Sequence, residues 1–373
     1  MEAVSTPLLV LAAPVRVVHS LEWDWTKRRL CFKNPRMNKL VSILLLAIVT
    51  PFCARGQQPG GTLTGTLASQ GLAGAKLERR YGNHLLVPVS INNRRGALMI
   101  DTGSPFTLID RNSVNTFGLT VEKTDSSVGG LFGRAWERFG TSKVKSIAMG
   151  NCMVTNVPVA IADLSGMNPE RDATATGSHI SDSKPMAHFN GVLGAREMVK
   201  FGMIIDCTRQ MLYINPNGAS SAVTQSLASF LASRGFTRVP MRLNANGHFD
   251  VEGALNGHAT RFLVDTGSAT TLIDTQVAVK SGTGVTALAG YGAGGAGGLA
   301  EGVNRAAVKE LAIGNFNLAN AEVVVAHVSR DILLSKSAAE SNAGVLGQDY
   351  LATNFAVIDM GGKVLYLRRP DSR

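Results

Sequence analysis

Two short segments of this 373-residue chain carry side chains suited to acid–base chemistry. Residues 98–110 read LMIDTGSPFTLID and residues 262–274 read FLVDTGSATTLID, identical at 8 of 13 positions. In each, an apolar run leads into an aspartate, Asp101 or Asp265, followed by threonine, glycine and serine. The apolar run buries a strand, and Gly103 and Gly267 permit a sharp turn with no side chain beside the carboxylate. One such segment is as readily a structural turn as a site. Two copies change the weighing, because similar lobes pack about a pseudo-two-fold axis and bring equivalent residues together. Two adjoining carboxylates do not both ionise freely, so one keeps a proton and the pair titrates at separated values. The ionised member takes a proton from water while the protonated member polarises a carbonyl, supplying general base and general acid together.

The elements that must position these aspartates repeat as well. The offset of 164 that relates Asp101 to Asp265 also aligns His84 with His248, Val87 with Val251, and Asn92 with Asn256. A second block, GVLGAREMVKFGMIIDCTRQMLYI at 191–214, returns as GVLGQDYLATNFAVIDMGGKVLYL at 344–367 with an offset of 153. The 11 extra residues of the first copy are expected within 164–189, a Ser-, Asp-, Pro- and Gly-bearing surface loop. Short β-like runs (LLVPVSI, ALMI, MIIDCT and MLYI, then RFLV, LAIG, EVVVA, AVIDM and VLYL) are punctuated by Asn92-Asn93, Asn217-Gly218, Asn246-Gly247 and Gly361-Gly362. Between the copies, Ala222, Leu227, Phe230 and Leu231 fall at helical spacing with Gly235 as the cap. The expectation is an all-β protein of two similar closed-barrel-like lobes, at 79–216 and 239–370, with the site between them. A linker is expected at 57–78 and a linker helix within 217–238.

Composition agrees with that layout. Gly is abundant at 40 residues and aromatics are 6%, which favours short strands and tight turns over long helices. The net charge is +10, but residues 1–56 alone hold eight Lys/Arg against three acids. The remaining basic residues are scattered without interleaved aromatics, so no nucleic-acid partner is expected.

Residues 37–56, MNKLVSILLLAIVTPFCARG, place Lys39 before the apolar run Leu40–Phe52 and end in Ala54-Arg55-Gly56. That is the layout of a secretory signal peptide, and the run is short for a bilayer span of about 20 residues. Export to a periplasmic or extracellular location is expected, with no membrane span after cleavage. Phe52 is too bulky before Cys53 for a lipoprotein signal. The signal reads as complete from Met37, the expected start, and residues 1–36 carry no functional assignment.

The duplicated motif resembles that of the aspartic proteases, and within them the retropepsin-like enzymes, here with two lobes fused in one chain. The family pattern pairs Asp-Thr-Gly with a later hydrophobic-hydrophobic-Gly, matched by Val192-Leu193-Gly194 and Val345-Leu346-Gly347. The resemblance spans roughly residues 80–370. It implies an endopeptidase acting on peptide or protein substrates, monomeric, with no metal or cofactor. Asp101 and Asp265 would be the catalytic pair. Thr102 and Thr266 would bond across the dyad to the opposite lobe, beside Gly103 and Gly267, and Ser104 and Ser268 would donate to the outer carboxylate oxygens. It also implies substrate-covering flaps in both lobes, at Gly129, Gly130 and Leu131 and at Tyr291, Gly294 and Gly295.

Other readings are weaker. Residues 292–297 match G-x-G-x-x-G, but no strand leads into them and no helix follows. The seven histidines show no metal-ligand spacing, and His84 and His248 read as turn-side hydrogen-bonding groups. Cys152 and Cys207 align with apolar Phe316 and Met360 and so face a core, as free thiols or as a disulfide. A non-catalytic peptide-binding module on the same fold is the rival in another class. The retention of both aspartates argues against it.

Overall fold

The computed structural model describes residues 61–80, 83–124, 128–129, 135–136, 139–164, 167, 189–287, 293–295, 298–300, 303–328 and 342–370, together with an isolated hairpin, Leu21–Asp24 paired with Arg29–Phe32. Residues 1–61 and 62–373 form separate compact units. The signal segment 37–56 and most of the loop expected at 164–189 lie outside the described residues.

Each lobe of the second unit is built on an eight-stranded sheet closed into a barrel. In lobe one the order is Glu78–Arg79, Leu85–Ile91, Arg94–Ile100, Gly191–Leu193, Leu108–Asp110, Cys152–Ala162, Phe139–Met149 and Glu122–Thr124. A further pairing of Leu85–Ile91 with Phe139–Met149 closes six of these strands into a ring. Lobe two repeats it: Arg242–Leu243, Phe249–Leu255, His258–Val264, Asn342–Leu346, Leu272–Asp274, Phe316–Ala326, Asn304–Ile313 and Val285–Ala287, closed by Phe249–Leu255 on Asn304–Ile313. The turn residues behave as their chemistry requires. Asn92 and Asn93 have φ of 48° and 64°, the left-handed pair that a two-residue hairpin demands. The repeated aspartates Asp110 and Asp274 are caps, accepting from Asn112 N at 3.4 Å and Gln276 N at 2.9 Å.

A six-stranded antiparallel sheet joins the lobes, in the order Thr237–Pro240, Val364–Leu367, Val357–Asp359, Ile204–Asp206, Met211–Ile214 and Ala73–Lys76. Its centre fixes the symmetry. Ile205 pairs with Ile358, its own repeat counterpart, while Ile204 pairs with Asp359 and Asp206 with Val357. The pseudo-two-fold axis therefore passes between Ile205 and Ile358. The two edge strands, Ala73–Lys76 and Thr237–Pro240, are also related by the offset of 164. Within the stretch read as a linker at 57–78, Leu63–Ala68 is thus a helix and Ala73–Lys76 an edge strand.

The connecting helix spans Ser221–Ala232, with the Ser220 side chain accepting from Val223 N and Gly235 at φ 75° beyond its end. It buries Val223, Leu227, Phe230 and Leu231 beneath the shared sheet, with Leu63, Leu67 and Tyr366 in the same cluster. Val223 takes the buried place expected for Ala222, which is exposed. Among the described residues no helix is long and apolar enough to cross a membrane.

Cys152 and Cys207 are both free and both buried in one core cluster that runs through the two lobes. This settles the alternative left open by sequence in favour of two thiols. Burial pushes the Cys207 thiol up to about 12, with Asp206 adding to the shift. Neither thiol supplies a reactive thiolate near neutral pH. Both are expected to resist alkylation in the native protein at pH 8 and to label fully in denaturant, counted by intact mass.

Candidate active site

Asp101 and Asp265 sit at the ends of Arg94–Ile100 and His258–Val264, each anchored by its backbone. Asp101 N donates to Leu193 O and Asp265 N donates to Leu346 O, both at 3.1 Å. The Val-Leu-Gly segments thus hold the strands from which the aspartates emerge. Behind them a buried threonine ties each segment down. Thr107 Oγ1 accepts from Gly194 N at 3.1 Å and donates to Glu197 Oε2 at 2.6 Å. Thr271 Oγ1 accepts from Gly347 N at 3.1 Å and donates to Asp349 Oδ1 at 2.7 Å.

Across the axis the two loops interlock. Thr102 N donates to Thr266 Oγ1 at 3.0 Å, and Thr102 Oγ1 donates to Val264 O at 2.7 Å. Reciprocally, Thr266 N donates to Thr102 Oγ1 at 3.0 Å, and Thr266 Oγ1 donates to Ile100 O at 2.8 Å. Each hydroxyl thus donates once and accepts once, and both threonines are fully enclosed. This is the cross-lobe role expected of Thr102 and Thr266.

The interlock places each carboxyl against the opposite loop. A Cβ built on Gly103 would lie 2.4 Å from the Asp265 carboxyl carbon, and one on Gly267 would lie 2.4 Å from that of Asp101. The sequence suggests that these glycines serve their own aspartate. The structure shows that the room they leave is occupied by the partner lobe's aspartate. The two carboxyls share a side-chain hydrogen bond. Burial, then the Asp265 charge, holds the Asp101 carboxyl well above the usual carboxylate range, against the opposing pull of the Ser104 and Gly103 amides. Those amides donate to Asp101 Oδ1 at 2.9 and 2.8 Å, and Gly267 N donates to Asp265 Oδ1 at 2.8 Å.

Ser104 and Ser268 correct an expectation. Their hydroxyls do not donate to the carboxylates. Ser104 Oγ donates to Phe106 O and Ser268 Oγ to Thr270 O, each at 2.8 Å. A carbonyl two residues on closes a tight local turn, and the main-chain amides take the place at the carboxylate. Replacing both serines with alanine is therefore expected to leave the alkaline limb of any pH–rate profile in place. The cost should be about 0.5–1.5 kcal/mol of stability per lost hydrogen bond, read by urea unfolding.

The flap expectations are met by the backbone only in part. Val128–Gly129 pairs with Ala135–Trp136 in lobe one, and Ala293–Gly295 pairs with Gly298–Ala300 in lobe two. Each lobe thus carries a short hairpin containing Gly129 or Gly294 and Gly295. Gly130, Leu131 and Tyr291 lie outside the described residues.

A second network reaches the lobe-two loop from the start of lobe one. Arg79 donates to Asn83 O at 3.0 Å, Cys207 O at 2.6 Å and Gln348 Oε1 at 3.3 Å. Gln348 Nε2 in turn donates to Thr266 O, and Asn83 Nδ2 to Ala269 O, both at 3.4 Å. Nothing in the sequence singled out Arg79 or Gln348. The repeat could have drawn attention to Gln348, because alanine stands at the matching Ala195.

Two closed barrels, a shared six-stranded sheet and an aspartate pair on the axis define the class of two-lobed acid proteases. A family model described as aspartyl protease matches residues 87–196 and 251–350, and the chain belongs to that family. No match is found among curated protein sequences. Similar solved structures include an aspartic proteinase from Irpex lacteus, at 13% identity and a TM-score of 0.45, covering 80% of this chain and 98% of that one. A retropepsin-like aspartic protease from Rickettsia conorii has 14% identity and a TM-score of 0.26, covering 39% of this chain and 90% of its own. Basic 7S globulin from soybean has 12% identity and a TM-score of 0.39, covering 80% and 94%.

Proposed function

We propose that this chain is an aspartic endopeptidase that hydrolyses peptide bonds through a water molecule activated between Asp101 and Asp265. The observation that carries this reading is the placement of the two carboxyls against one another on the axis, each in the space left by the other lobe's glycine. In the first step the ionised carboxylate takes a proton from water. The water oxygen bonds to the substrate carbonyl carbon, and the protonated carboxyl gives its proton to the carbonyl oxygen. In the second step the C–N bond breaks as the amine nitrogen receives the proton that the dyad took from water, while a hydroxyl of the tetrahedral intermediate gives its proton to the other carboxylate, which leaves one proton on the pair. The raised Asp101 carboxyl supports the assignment, because it supplies the retained proton.

Substrates are extended polypeptide segments held between the lobes and covered by the two glycine-bearing hairpins. The enzyme acts as an exported monomer, in a periplasmic or extracellular compartment. The test is cleavage of a proteome-derived peptide library between pH 3 and pH 8, with a statine-type inhibitor and with EDTA in parallel. Acid-side cleavage blocked by statine and indifferent to EDTA is expected. Partner binding with no cleavage at any pH would instead favour a peptide-binding module.

A further inference from the structure

Three residues at which the repeat fails meet in one place beside the dyad. Arg79, Asn83 and Gln348 occupy the positions that the two offsets match with Leu243, Gly247 and Ala195. None of those three counterparts has a side chain that forms hydrogen bonds. The half-buried Arg79 guanidinium is the hub. Its Nη2 donates to Cys207 O at 2.6 Å, and its Nη1 donates to Asn83 O at 3.0 Å, Asn83 Oδ1 at 2.6 Å and Gln348 Oε1 at 3.3 Å. The backbone beneath it is fixed as well. Arg79 N donates to Gln210 Oε1 at 3.2 Å, and Leu77 N donates to Gln210 O at 2.8 Å. Cys207 follows the axis strand Ile204–Asp206, and its own amide donates to Ala356 O of lobe two at 3.0 Å. The guanidinium is therefore held against the sheet that joins the lobes.

From that anchor two side-chain amides reach the lobe-two loop. The fully buried Gln348 donates from Nε2 to Thr266 O, and Asn83 donates from Nδ2 to Ala269 O, both at 3.4 Å. Arg79 takes the oxygen of each amide, which leaves the NH2 group of each for the loop. Asn83 has φ of 66°, and Arg79 braces that left-handed turn by bonding both its carbonyl and its side-chain oxygen. The two carbonyls so held bracket Gly267 and Ser268, and the first belongs to the residue after Asp265. In lobe one the matching carbonyls, Thr102 O and Pro105 O, have no matching side-chain donors, because Ala195 and Gly247 stand in those places.

We propose that Arg79 is a positioning residue that, through Gln348 and Asn83, sets the lobe-two loop and with it the Asp265 carboxyl against Asp101. This rests on the aspartic-dyad reading and adds to it a residue from the other lobe.

The chemistry makes placement matter. The two carboxyls share one proton and must address the same water, so a small displacement of one against the other removes the base or the acid from reach. A misplacement of about 1 Å costs about 10²-fold in rate. The planar fork of Arg79 holds Cys207 O with one nitrogen and the two amide oxygens with the other, so it fixes both amides relative to the shared sheet. Because the clamp grips one loop only, its loss acts on the Asp265 side first.

Two measurements test this. In the first, backbone amide resonances are compared by NMR between wild type and Arg79→Met, which keeps the stem and removes the fork. The amides of Thr266 to Ala269 are expected to shift more than those of Thr102 to Ser104. Equal shifts in the two loops, or none in the lobe-two loop, overturn the proposal, and this arm needs no turnover. In the second, kcat and KM are measured well below each protein's unfolding midpoint for wild type, Arg79→Met, Gln348→Met and the double variant. Arg79→Met is expected to lower kcat by about 10- to 100-fold with KM changed by less than about twofold. Gln348→Met should lower kcat in the same way but less, and the double variant should fall by less than the product of the two. A normal kcat with a lowered unfolding midpoint, as a purely structural role would give, overturns the proposal, as do a change confined to KM and strictly multiplicative losses. Gln348→Met leaves the Arg79 bonds to Cys207 and Asn83 in place, so if Arg79→Met does not fold, both measurements are made on Gln348→Met with the same outcomes. A wild type that cleaves nothing defeats the protease reading itself, and the NMR arm then decides the positioning alone.

Discussion

Replacing Asp101 with asparagine is expected to abolish hydrolysis and, above about pH 4, to make the protein more stable. The first effect follows from removing the proton donor, and a loss of at least about 10³-fold in kcat/KM is expected. The second follows from linkage. The Asp101 carboxyl is held well above its ordinary range by burial and by Asp265. In the unfolded chain it ionises near pH ~3.9. Between that point and the raised native value, the folded state keeps a proton that the unfolded state releases, so stability falls as pH rises. Asparagine has no proton to keep and escapes this penalty, while its side-chain oxygen still accepts from the Gly103 and Ser104 amides. Calorimetry at pH 3, 5 and 7 should show equal midpoints at pH 3 and a growing advantage for the variant above it. Asp265→Asn should be as inactive. Near-wild-type cleavage in either variant would remove the dyad from the mechanism.

Thr266→Val is expected to be the most destabilising single substitution at the site. Valine keeps the shape but loses the hydroxyl that accepts from Thr102 N and donates to Ile100 O. Both partners are enclosed, so two main-chain groups lose their bonds without water to replace them. At about 1–3 kcal/mol for each unmet buried group, the loss is about 2–6 kcal/mol. That is a large share of the 5–15 kcal/mol typical of a folded domain. Catalysis should fall with it, because the loops that hold the carboxyls together are no longer pinned. Thr266→Ser restores the hydroxyl and should recover most of both losses. Thr102→Val breaks the two matching bonds, and because either break already loosens both interlocked loops, the double variant should lose less than the sum. Urea unfolding of the four proteins measures this cycle, and strict additivity would show that the interlock is not a unit.

How much of this was readable beforehand depends on what the repeat preserves as letters. The aspartates, the cross-lobe threonines and the two-lobe barrel plan were legible because residues 98–110 return almost intact at 262–274. Hairpin turns were legible because Asn92-Asn93 has few other uses. The strand Ala73–Lys76 was not, because AGAK shares nothing with its counterpart TRVP beyond backbone pairing, which any short residue can supply. The carboxylates Glu197 and Asp349 also escaped. They bond equivalent threonines but occupy positions one residue apart in the alignment, so a helix turn and a longer side chain conceal the equivalence. The direction of the Ser104 and Ser268 hydroxyls is a rotamer choice between two nearby acceptors, and sequence does not encode which acceptor lies closer.

The pairing of Ile205 with Ile358 has one more consequence. A surface that meets its own copy across a two-fold axis is isologous, so each half of this chain presents a face complementary to itself. The helix Ser221–Ala232 does not create that fit; it sets the effective concentration at which the halves meet. As long as the halves are tethered, neither needs to bind itself well. One lobe can then acquire Gln348 where the other keeps Ala195 without weakening assembly. Covalent linkage thus gives this chain a freedom that a symmetric dimer lacks, two unequal halves around a single aspartate pair.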